Sequence, residues 1–314
     1  MKEKRSLHGY LLIFMSGVFW GLGGYLVTQM STTGASSLMT AFTGHFFILI
    51  PLLVYLLVKK GIKGLKISKR GLFYSIILGV ITKGIFKLAN DTAIVSVGVA
   101  TASILMYLAP VFAAIMSMIF FKERLSGYQH LAILLNLIGC ILMVTGGNFA
   151  ELNISGIGLA LGILAGFLYA LNTILGKVAT STDDSETMTF YMLLFSAITM
   201  GLFAKPWEHM ELFSNSTFMF WGILNALFTG LLANLLFLKG LSMKVDASKV
   251  TIISSGEVVI ATLTGVLLLG EKINFIGFMG IIIMLVSIVL MNLNIRIKSQ
   301  EITDQVGAAV PVES

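Results

Sequence analysis

Ten long apolar runs, separated by short polar segments, dominate the pattern of hydrophobic and polar positions along the 314-residue chain. Most of the runs reach the roughly 20 residues that a helix needs to cross a ~30 Å hydrocarbon core. In lipid only helices and closed barrels satisfy their own backbone hydrogen bonds, and barrel strands would be about half as long and would alternate in polarity. The pattern therefore predicts an all-α membrane protein with about ten transmembrane helices. The predicted spans are Gly9–Gln29, Ser36–Val58, Gly71–Ile94, Ser96–Phe121, Gln129–Gly146, Gly156–Gly176, Thr187–Ala204, Thr217–Leu238, Ala247–Leu269 and Ile273–Leu293.

The composition of the chain supports the membrane assignment. Hydrophobic residues make up 57% of the chain and charged residues 11%, and the mean hydropathy is +0.95. This leaves too little polar surface to cover a soluble globule of the same length. The first span follows a basic start, as a signal peptide does, but it is too long for the apolar region of one and no small-residue cleavage motif follows it. We therefore expect the first span to remain as a helix.

Lysine and arginine are distributed unequally between the two sides of the predicted bundle. Sixteen lie on the side of both termini, six of them within 59–70, whereas Lys205 and Lys272 lie on the other side. The positive-inside rule places the basic side in the cytoplasm. We expect a multi-pass protein of the plasma (inner) membrane, with both termini and a disordered tail over 299–314 in the cytoplasm. The net charge of +6 follows from this asymmetry, and the basic run contains no aromatic residue for stacking on bases, so no nucleic-acid partner is expected.

The chain is an internal duplication. Thr101–Ser126 and Ser248–Asn274 each pair an apolar run with a Glu just past its end, and these two residues, Glu123 and Glu271, stand 148 positions apart. Other matching pairs, 148 or 149 positions apart, are Ala113 and Ala261, Gly9 and Gly158, Gly17 and Gly166, and Trp20 and Tyr169. Each half then holds five spans, and because five is odd the second half enters the membrane from the opposite side. We predict a first five-helix repeat over 1–146 and an inverted second repeat over 147–298, an arrangement that allows two mirror-related conformations and hence alternating access.

Three segments carry a resemblance to a known family. YLAPVFAAIMSMIFFKERLS (Tyr107–Ser126), EVVIATLTGVLLLGEKI (Glu257–Ile273) and FWGLGGY (Phe19–Tyr25) resemble the EamA-type members of the drug/metabolite transporter superfamily. The resemblance implies ten helices in two inverted repeats, a central cavity lined mainly by helices 1, 3, 4, 6, 8 and 9, and export or exchange of amino acids and related small metabolites. Where many second-repeat motifs of that family have Glu-Pro, this chain has Val258 after Glu257, which is expected to weaken a kink there.

Charged residues inside the predicted spans indicate where a site lies. Lys83, Lys87 and Asp91 share one face of helix 3, and Lys249 and Glu257 share one face of helix 9. Ionisable groups at membrane depth are costly and usually face an interior or a water-filled cavity. At 1.5 Å per residue, Lys83 lies about 18 Å and Glu257 about 15 Å from the side of the termini, close to the midplane. A structural ion pair between the two helices, or lysines that reach towards the interface, is the alternative interpretation.

Uncharged polar and aromatic residues complete the set of candidates. His45 lies near the middle of helix 2, where a lone histidine is more often a packing residue, and Asn136, Asn225 and Asn234 are expected to join helices. Asn172 is the asparagine best placed for a cavity, because it follows Tyr169 in the helix that matches helix 1. The predicted substrate and coupling residues are Glu257, Lys83, Lys87, Lys249, His45, Asn172, Trp20, Tyr107 and Tyr169.

Motifs of other chemistries are missing from the sequence. It contains no P-loop, no H-E-x-x-H, no G-x-S-x-G elbow and no Cys/His cluster, and its single cysteine, Cys140, lies within the fifth span. We therefore expect no nucleotide hydrolysis, no metal, no cofactor and no enzymatic activity. Transport would then use a gradient or exchange.

These observations favour a secondary active transporter. Two Lys and one Glu in the predicted cavity suit an amino-acid-like zwitterion or an organic anion better than a lipophilic cation, unless Glu257 neutralises Lys83. A multidrug or cationic-compound exporter is the alternative within the same class, and a membrane-embedded enzyme or lipid-handling protein is the alternative of another class. A receptor is less favoured, because the predicted loops are short. The expected partners are a small-molecule substrate and the lipid bilayer, with the protein as a monomer or homodimer.

Overall fold

Helices make up almost all of the secondary structure in the computed structural model, which describes residues 2–152, 156–243, 245–270 and 272–292. Among these residues nine helical segments are long and apolar enough to cross a membrane, and a shorter apolar helix follows them. The segments are α1 Ser6–Ser31, α2 Ser37–Leu65, α3 Lys69–Val99, α4 Thr101–Phe121, α5 Gly127–Thr145, α6 Gly156–Ala179, α7 Ser185–Ala204, α8 Ser216–Leu241, α9 Ala247–Leu269 and α10 Phe275–Asn292. The predicted all-α membrane protein with about ten transmembrane helices is confirmed, and the predicted tail lies outside the described residues.

Polar residues of the connecting segments cap the N-termini of several helices. Their side chains accept hydrogen bonds from the free amides of the first turn, which would otherwise lack partners. At the start of α5, Ser126 and Gln129 form a capping box, in which the Gln129 side chain accepts from the Ser126 amide at 2.8 Å. Similar caps are provided by Ser36 for α2, Ser68 for α3, Asp184 for α7 and Asn215 for α8. Local chemistry therefore sets the starts of at least five of the ten spans.

Several spans are irregular, and the irregularities recur at equivalent positions of the two halves. A π-helical segment, Ile77–Ile85, interrupts α3, and another, Ala226–Leu232, interrupts α8, and the two begin 149 positions apart. A break at Tyr107 divides α4 and a break at Ser255 divides α9, and these are 148 positions apart. The break in α9 forms although this chain has Val258 where the family that it resembles often has proline. The duplication read from the sequence is thus visible in the backbone.

The first helix of each half packs against the other half. α1 packs on α8 and α9 of the second half, and α6 packs on α3 and α4 of the first, while α2 pairs with α7 and α5 pairs with α10. Glycines permit the closest approaches: a Cβ on Gly17 would lie 2.8 Å from the Ser254 carbonyl oxygen, and one on Gly166 would lie 2.7 Å from the Leu105 carbonyl oxygen. Each half is therefore incomplete alone, and together they form two inverted five-helix repeats, with α1–α5 as the first half and α6–α10 as the second.

The two ends of the bundle hold different helix termini and junctions. The end that holds the start of α1 also holds the ends of α2, α4, α6 and α8, and we call it the termini face. There, for example, Tyr10 hydrogen-bonds to Asp246, and Ser68 to Asp183. The opposite end, the far face, holds the junctions of α1 with α2 and of α7 with α8.

Candidate functional site

A cavity lies between the two halves, in the middle of the bundle. Its volume is about 210 Å³, and a smaller lobe of about 130 Å³ shares part of its wall. The residues common to both parts are Trp20, Lys83, Phe86 and Glu257.

The cavity extends from this centre towards the far face. Its wall on that side includes Val27, close to the end of α1, Thr40, one turn into α2, and Lys87. The smaller lobe is bounded by Thr82, Met106, Tyr169 and Asn172.

Seven of the nine predicted site residues line this cavity or its lobe, namely Trp20, His45, Lys83, Lys87, Tyr169, Asn172 and Glu257. The other two lie elsewhere. Tyr107 is buried in an apolar cluster with Cys140 and Met284. Lys249 is buried nearer the termini face, 3.3 Å from an Asp246 carboxylate oxygen. The roles of all nine residues stay predictions.

Glu257 owes its position to the break in α9. The helix Gly256–Leu269 begins immediately after Ser255, so Glu257 lies in the first turn of a helix that starts inside the membrane. Unpaired amides and the helix dipole stabilise a carboxylate at such a position. The hydroxyl of Tyr169, from α6, donates a hydrogen bond of 2.9 Å to the Glu257 carboxylate. The carboxyl group is thereby presented to the cavity with one protein partner in place.

Lys83 lies in the π-helical segment of α3 and contacts an aromatic ring. Its ammonium is 4.7 Å from the centroid of the Trp20 ring, which in turn packs 5.1 Å from the Phe237 ring. A cation at this distance is attracted by the ring face. Among the described residues, no carboxylate oxygen lies within 4.0 Å of the Lys83 ammonium. The ion pair with Glu257 that the alternative interpretation would require is therefore absent from this conformation, although both side chains line one cavity.

Lys87, by contrast, has its charge compensated within the first half. Its ammonium lies 2.7 Å from an Asp91 carboxylate oxygen and donates a hydrogen bond of 2.5 Å to the hydroxyl of Ser37. These contacts hold Lys87 where the cavity approaches the far face. Its charge contributes little to the electrostatic balance of the centre.

The neutral polar residues of the wall are held by neighbours. His45 Nδ1 lies 2.9 Å from the Ser196 hydroxyl. Asn172 Oδ1 accepts a hydrogen bond of 3.0 Å from the hydroxyl of Thr82. These partners come from α7 and α3, so each contact joins two spans and fixes the orientation of a side chain that borders the cavity.

Sequence reasoning did not assign several wall residues to the site. Phe86 lies between Lys83 and Lys87 in α3. Its spacing of three residues from Lys83 indicates the same face of the helix and could have identified it as a wall residue. Thr229 lies in the π-helical segment of α8 and donates a hydrogen bond of 2.7 Å to Asn225 Oδ1, and both line the cavity. Asn225 was expected only to join helices, and its amide does contact the Thr40 carbonyl at 3.4 Å. No regular helical spacing would have identified Thr229, because a π segment shifts the direction of the residues that follow.

Proteins from bacteria resemble this chain over most of its length. It is 26% identical over 299 residues to the uncharacterized inner membrane transporter YicL of Salmonella typhimurium, covering 92% of this chain and 96% of the relative. It is 25% identical over 287 residues to the uncharacterized transporter YwfM of Bacillus subtilis, covering 90% and 93%.

A solved crystal structure shares the fold. It superposes with a TM-score of 0.71 over 90% of this chain and 96% of that one, at 14% sequence identity. The model of the EamA-like transporter family matches residues 7–145 and again residues 156–293, one match in each half. The two matches reflect the duplication that the sequence and the backbone both show. The chain therefore belongs to the EamA-like transporter family, and it is a multi-pass membrane transporter.

Proposed function

We propose that this protein is a secondary active transporter that moves a small, amino-acid-like zwitterion across the membrane by alternating access. The observation that carries the proposal is the presence of opposite charges, Lys83 and Glu257, on the wall of one central cavity without a direct contact between them. A ligand that bears a carboxylate and an ammonium can satisfy both.

The balance of charge favours a zwitterion over the other substrate classes. Because Asp91 compensates Lys87, one cation and one anion remain at the centre. An organic anion would meet Lys83 but leave Glu257 without a cation, and a lipophilic cation would face Lys83. A buried charge without a partner is costly. The rings of Trp20 and Phe86 supply the apolar surface that small-molecule sites need for the rest of the ligand.

The energy source is proposed to be an ion gradient or exchange, since the sequence has no nucleotide-binding motif. If protons drive transport, Glu257 is the coupling residue, because it is the carboxylate on the wall of the cavity among the described residues. Protonation would remove the charge that an ammonium group recognises.

We further propose a membrane, an orientation and an oligomeric state for the transporter. The repeats over 1–146 and 147–298 would act as the two moving halves, in the plasma (inner) membrane with both termini in the cytoplasm. The protein would work as a monomer or homodimer, without cofactor or enzymatic activity.

Uptake into vesicles tests the proposed function. Purified protein is reconstituted and preloaded with unlabelled compound, and entry of radiolabelled amino acids, organic acids and cationic drugs is measured. We expect counterflow of at least one amino acid, and loss of that counterflow in Lys83→Met. Counterflow of organic acids alone, or of cationic drugs alone, would replace the zwitterion by that class. If no compound of any class enters while lipid is modified or moved, the enzyme or lipid-handling alternative is favoured.

A further inference from the structure

A carboxylate of the first half closes the start of a helix of the second half at the termini face. Glu123 follows the end of α4, and its two oxygens face α9. One accepts hydrogen bonds from the backbone amide of Ala247, at 2.9 Å, and from the ammonium of Lys177, at 2.7 Å. The other accepts from the amide of Ser248, at 3.1 Å, and from the Ser248 hydroxyl, at 2.8 Å. All four donors belong to the second half.

The start of α9 depends on this contact from outside. Asp246 occupies the position of the N-cap, where an Asp side chain normally accepts from the first amides. The Asp246 side chain makes no hydrogen bond to the first amides of α9 in the structure described. It accepts a hydrogen bond of 3.1 Å from the Tyr10 hydroxyl instead. Glu123 therefore performs the capping that the helix's own residue does not. If the start of α9 moved away from Glu123, the backbone amides of Ala247 and Ser248 would both lose their hydrogen-bond acceptors.

The environment of Glu123 favours its charged form. Burial alone would raise the pKa of this carboxyl, but the hydrogen bonds from Lys177 and from the amides of Ala247 and Ser248 outweigh burial, and the pKa lies below its ordinary value. Hydrogen bonds that involve a charged partner are the strong ones in proteins.

Two helices connect this contact to the cavity. On α6, Tyr169 donates to Glu257, and Lys177, eight residues further along, donates to Glu123. On α9, the short helix Ala247–Ser254 that Glu123 caps ends at the break just before Glu257. Protonation or ligand binding at Glu257 can thus act on the termini face by a shift of α6 or by a tilt of α9 at its break. Each path covers roughly 12–15 Å at 1.5 Å per residue.

We propose that Glu123 is a latch, a positioning residue that holds the cavity closed towards the termini face and must leave the start of α9 before the cavity can open on that side. This inference rests on the proposed alternating-access function and adds to it the residue that controls one of the two gates. Glu123 itself does not contact the substrate.

Distances between spin labels test the latch. Labels are attached to cysteines at Tyr128 and Ser181, which are exposed and lie in different halves near Glu123 and Lys177, in a Cys140→Ala background. The protein is measured in nanodiscs without substrate. For unaltered Glu123 we expect one short distance to dominate, with a longer distance as a minor population. In Glu123→Gln, a second, longer distance should rise about tenfold or more in population, because Gln offers one acceptor where the two amides need two.

Other variants separate a latch from a passive structural contact. Lys177→Met should shift the distances in the same direction but less, because the bonds from α9 remain. Glu208→Gln, which removes an ion pair of 3.1 Å with Lys205 inside the second half, should leave the distances unchanged. Glu123→Gln should also weaken binding of substrate offered from the far side, since fewer molecules remain open there. A folded Glu123→Gln protein with the distances of the unaltered chain would overturn the proposal.

Two further outcomes remain interpretable. If Glu123→Gln does not fold, Ser248→Ala and Lys177→Met, which weaken the contact in part, carry the test, and unchanged distances in both would refute the latch. The measurement needs no substrate, so its failure is distinct from failure of the proposed function. Distances that shift in a protein without zwitterion counterflow would support the latch and reject the substrate class, and the reverse result would reject the latch alone.

Discussion

The termini face and the far face are joined in different ways, although one duplicated sequence builds both. Among the described residues, every ion pair between the two halves lies at the termini face, as Lys59–Glu186, Lys60–Asp184, Lys60–Glu186 and Lys177–Glu123. The described lysine ion pairs near the far face, Lys87–Asp91 and Lys205–Glu208, each lie within one half, as does the contact of His209 with Glu211. There the halves meet through a neutral contact, in which the Asn274 amide donates to the Gly146 carbonyl at 2.7 Å.

This difference indicates which gate is closed. The halves are tied by charge at the termini face, and the cavity extends towards the far face. The repeat itself has diverged to permit this, because the position equivalent to Lys177 in the first half, 149 residues earlier, is Thr28, which cannot supply a positive charge. Asn172 of the cavity likewise corresponds to Gly23. Inverted repeats make two conformations possible, and unequal side chains decide which of them is more stable.

Removal of the central negative charge should have the largest effect, because both gates must respond to the same site. Glu257→Gln keeps the shape of the side chain and mimics its protonated form. If protons drive transport, we expect this variant to retain exchange across vesicles at a lower affinity, because the substrate ammonium loses its charged partner, while its accumulation against a proton gradient falls to background. Glu208→Gln serves as the matched control and should accumulate normally. Accumulation at the unaltered rate by Glu257→Gln would remove Glu257 from coupling and leave His45 as the next candidate.

The orientation of the two faces is tested by labelling in intact cells. Single cysteines replace Lys63 or Lys272 in a Cys140→Ala background. Because Lys and Arg are concentrated at the termini face, we expect a membrane-impermeant thiol reagent to label position 272 and not position 63. Labelling of 63 alone would reverse the assignment of the faces, and labelling of both would indicate mixed insertion.

The close approach of α1 to α9 beside the cavity should be sensitive to a single methyl group. A Cβ on Gly17 would lie 2.8 Å from the Ser254 carbonyl oxygen. Gly17→Ala should therefore lower the free energy of unfolding by about 1–3 kcal/mol, as overpacking usually does. Gly24→Ala, in the same span with nothing within 4 Å, is the control and should be neutral or slightly stabilising. Thermal unfolding in detergent measures both, and equal stability of the two variants would argue against tight packing at Gly17.

Acid should weaken the termini face through Glu123. Its pKa is lower in the folded protein than its ordinary value of 4.5, so its stabilising contribution is fully present above that value and is lost as the pH falls through the folded pKa. We expect the difference in stability between the unaltered chain and Glu123→Gln to stay constant from pH 7 to pH 5.5 and to shrink below about pH 4.5. A difference that vanishes near pH 6 would contradict the assigned pKa direction.

The exposed ion pairs of the same face should matter least. Lys60 lies 2.6 Å from an Asp184 carboxylate oxygen, with about half of the Asp184 side chain exposed, and it also pairs with Glu186, which keeps Lys59 as a partner when Lys60 is removed. Hydrogen bonds from Lys60 and from backbone amides outweigh the effect of burial and lower the pKa of Asp184, but solvent screens much of this attraction. Lys60→Met should change the free energy of unfolding by about 0–1 kcal/mol. A loss as large as that from Glu123→Gln would mean that the whole face, rather than Glu123, holds the gate.

Local properties of the sequence account for much of the architecture. Hydropathy predicted the spans, because the cost of exposing polar groups to lipid acts on each segment separately. The boundaries differ mainly where regular structure continues past the apolar run: α2 extends to Leu65 through a 3₁₀ turn, Gly61–Leu65, at the termini face. The fixed offset between matching residues predicted the inverted repeat, since an odd number of spans leaves no other orientation.

The cavity was predictable in part for the same physical reason. Charges within apolar spans must face an interior, and Lys83, Lys87 and Glu257 do line one. The sequence alone could not separate them from Lys249, because depth along a helix does not say which neighbour the residue meets. Tyr107 lies at the break of α4 and turns into an apolar cluster, which its position in the motif did not reveal.

The sequence by itself determined the class of the protein, its duplication and the approximate depth of its charges, because these follow from hydropathy, spacing and helical rise. Only the tertiary structure decided the partners of those charges: Lys83 lies over Trp20, Glu257 binds Tyr169, and Glu123 caps a helix of the other half. Each partner comes from a span distant in the chain, and π segments and helix breaks alter the direction in which side chains point. Such contacts depend on which helices pack together, a property of the assembled bundle that no single segment contains.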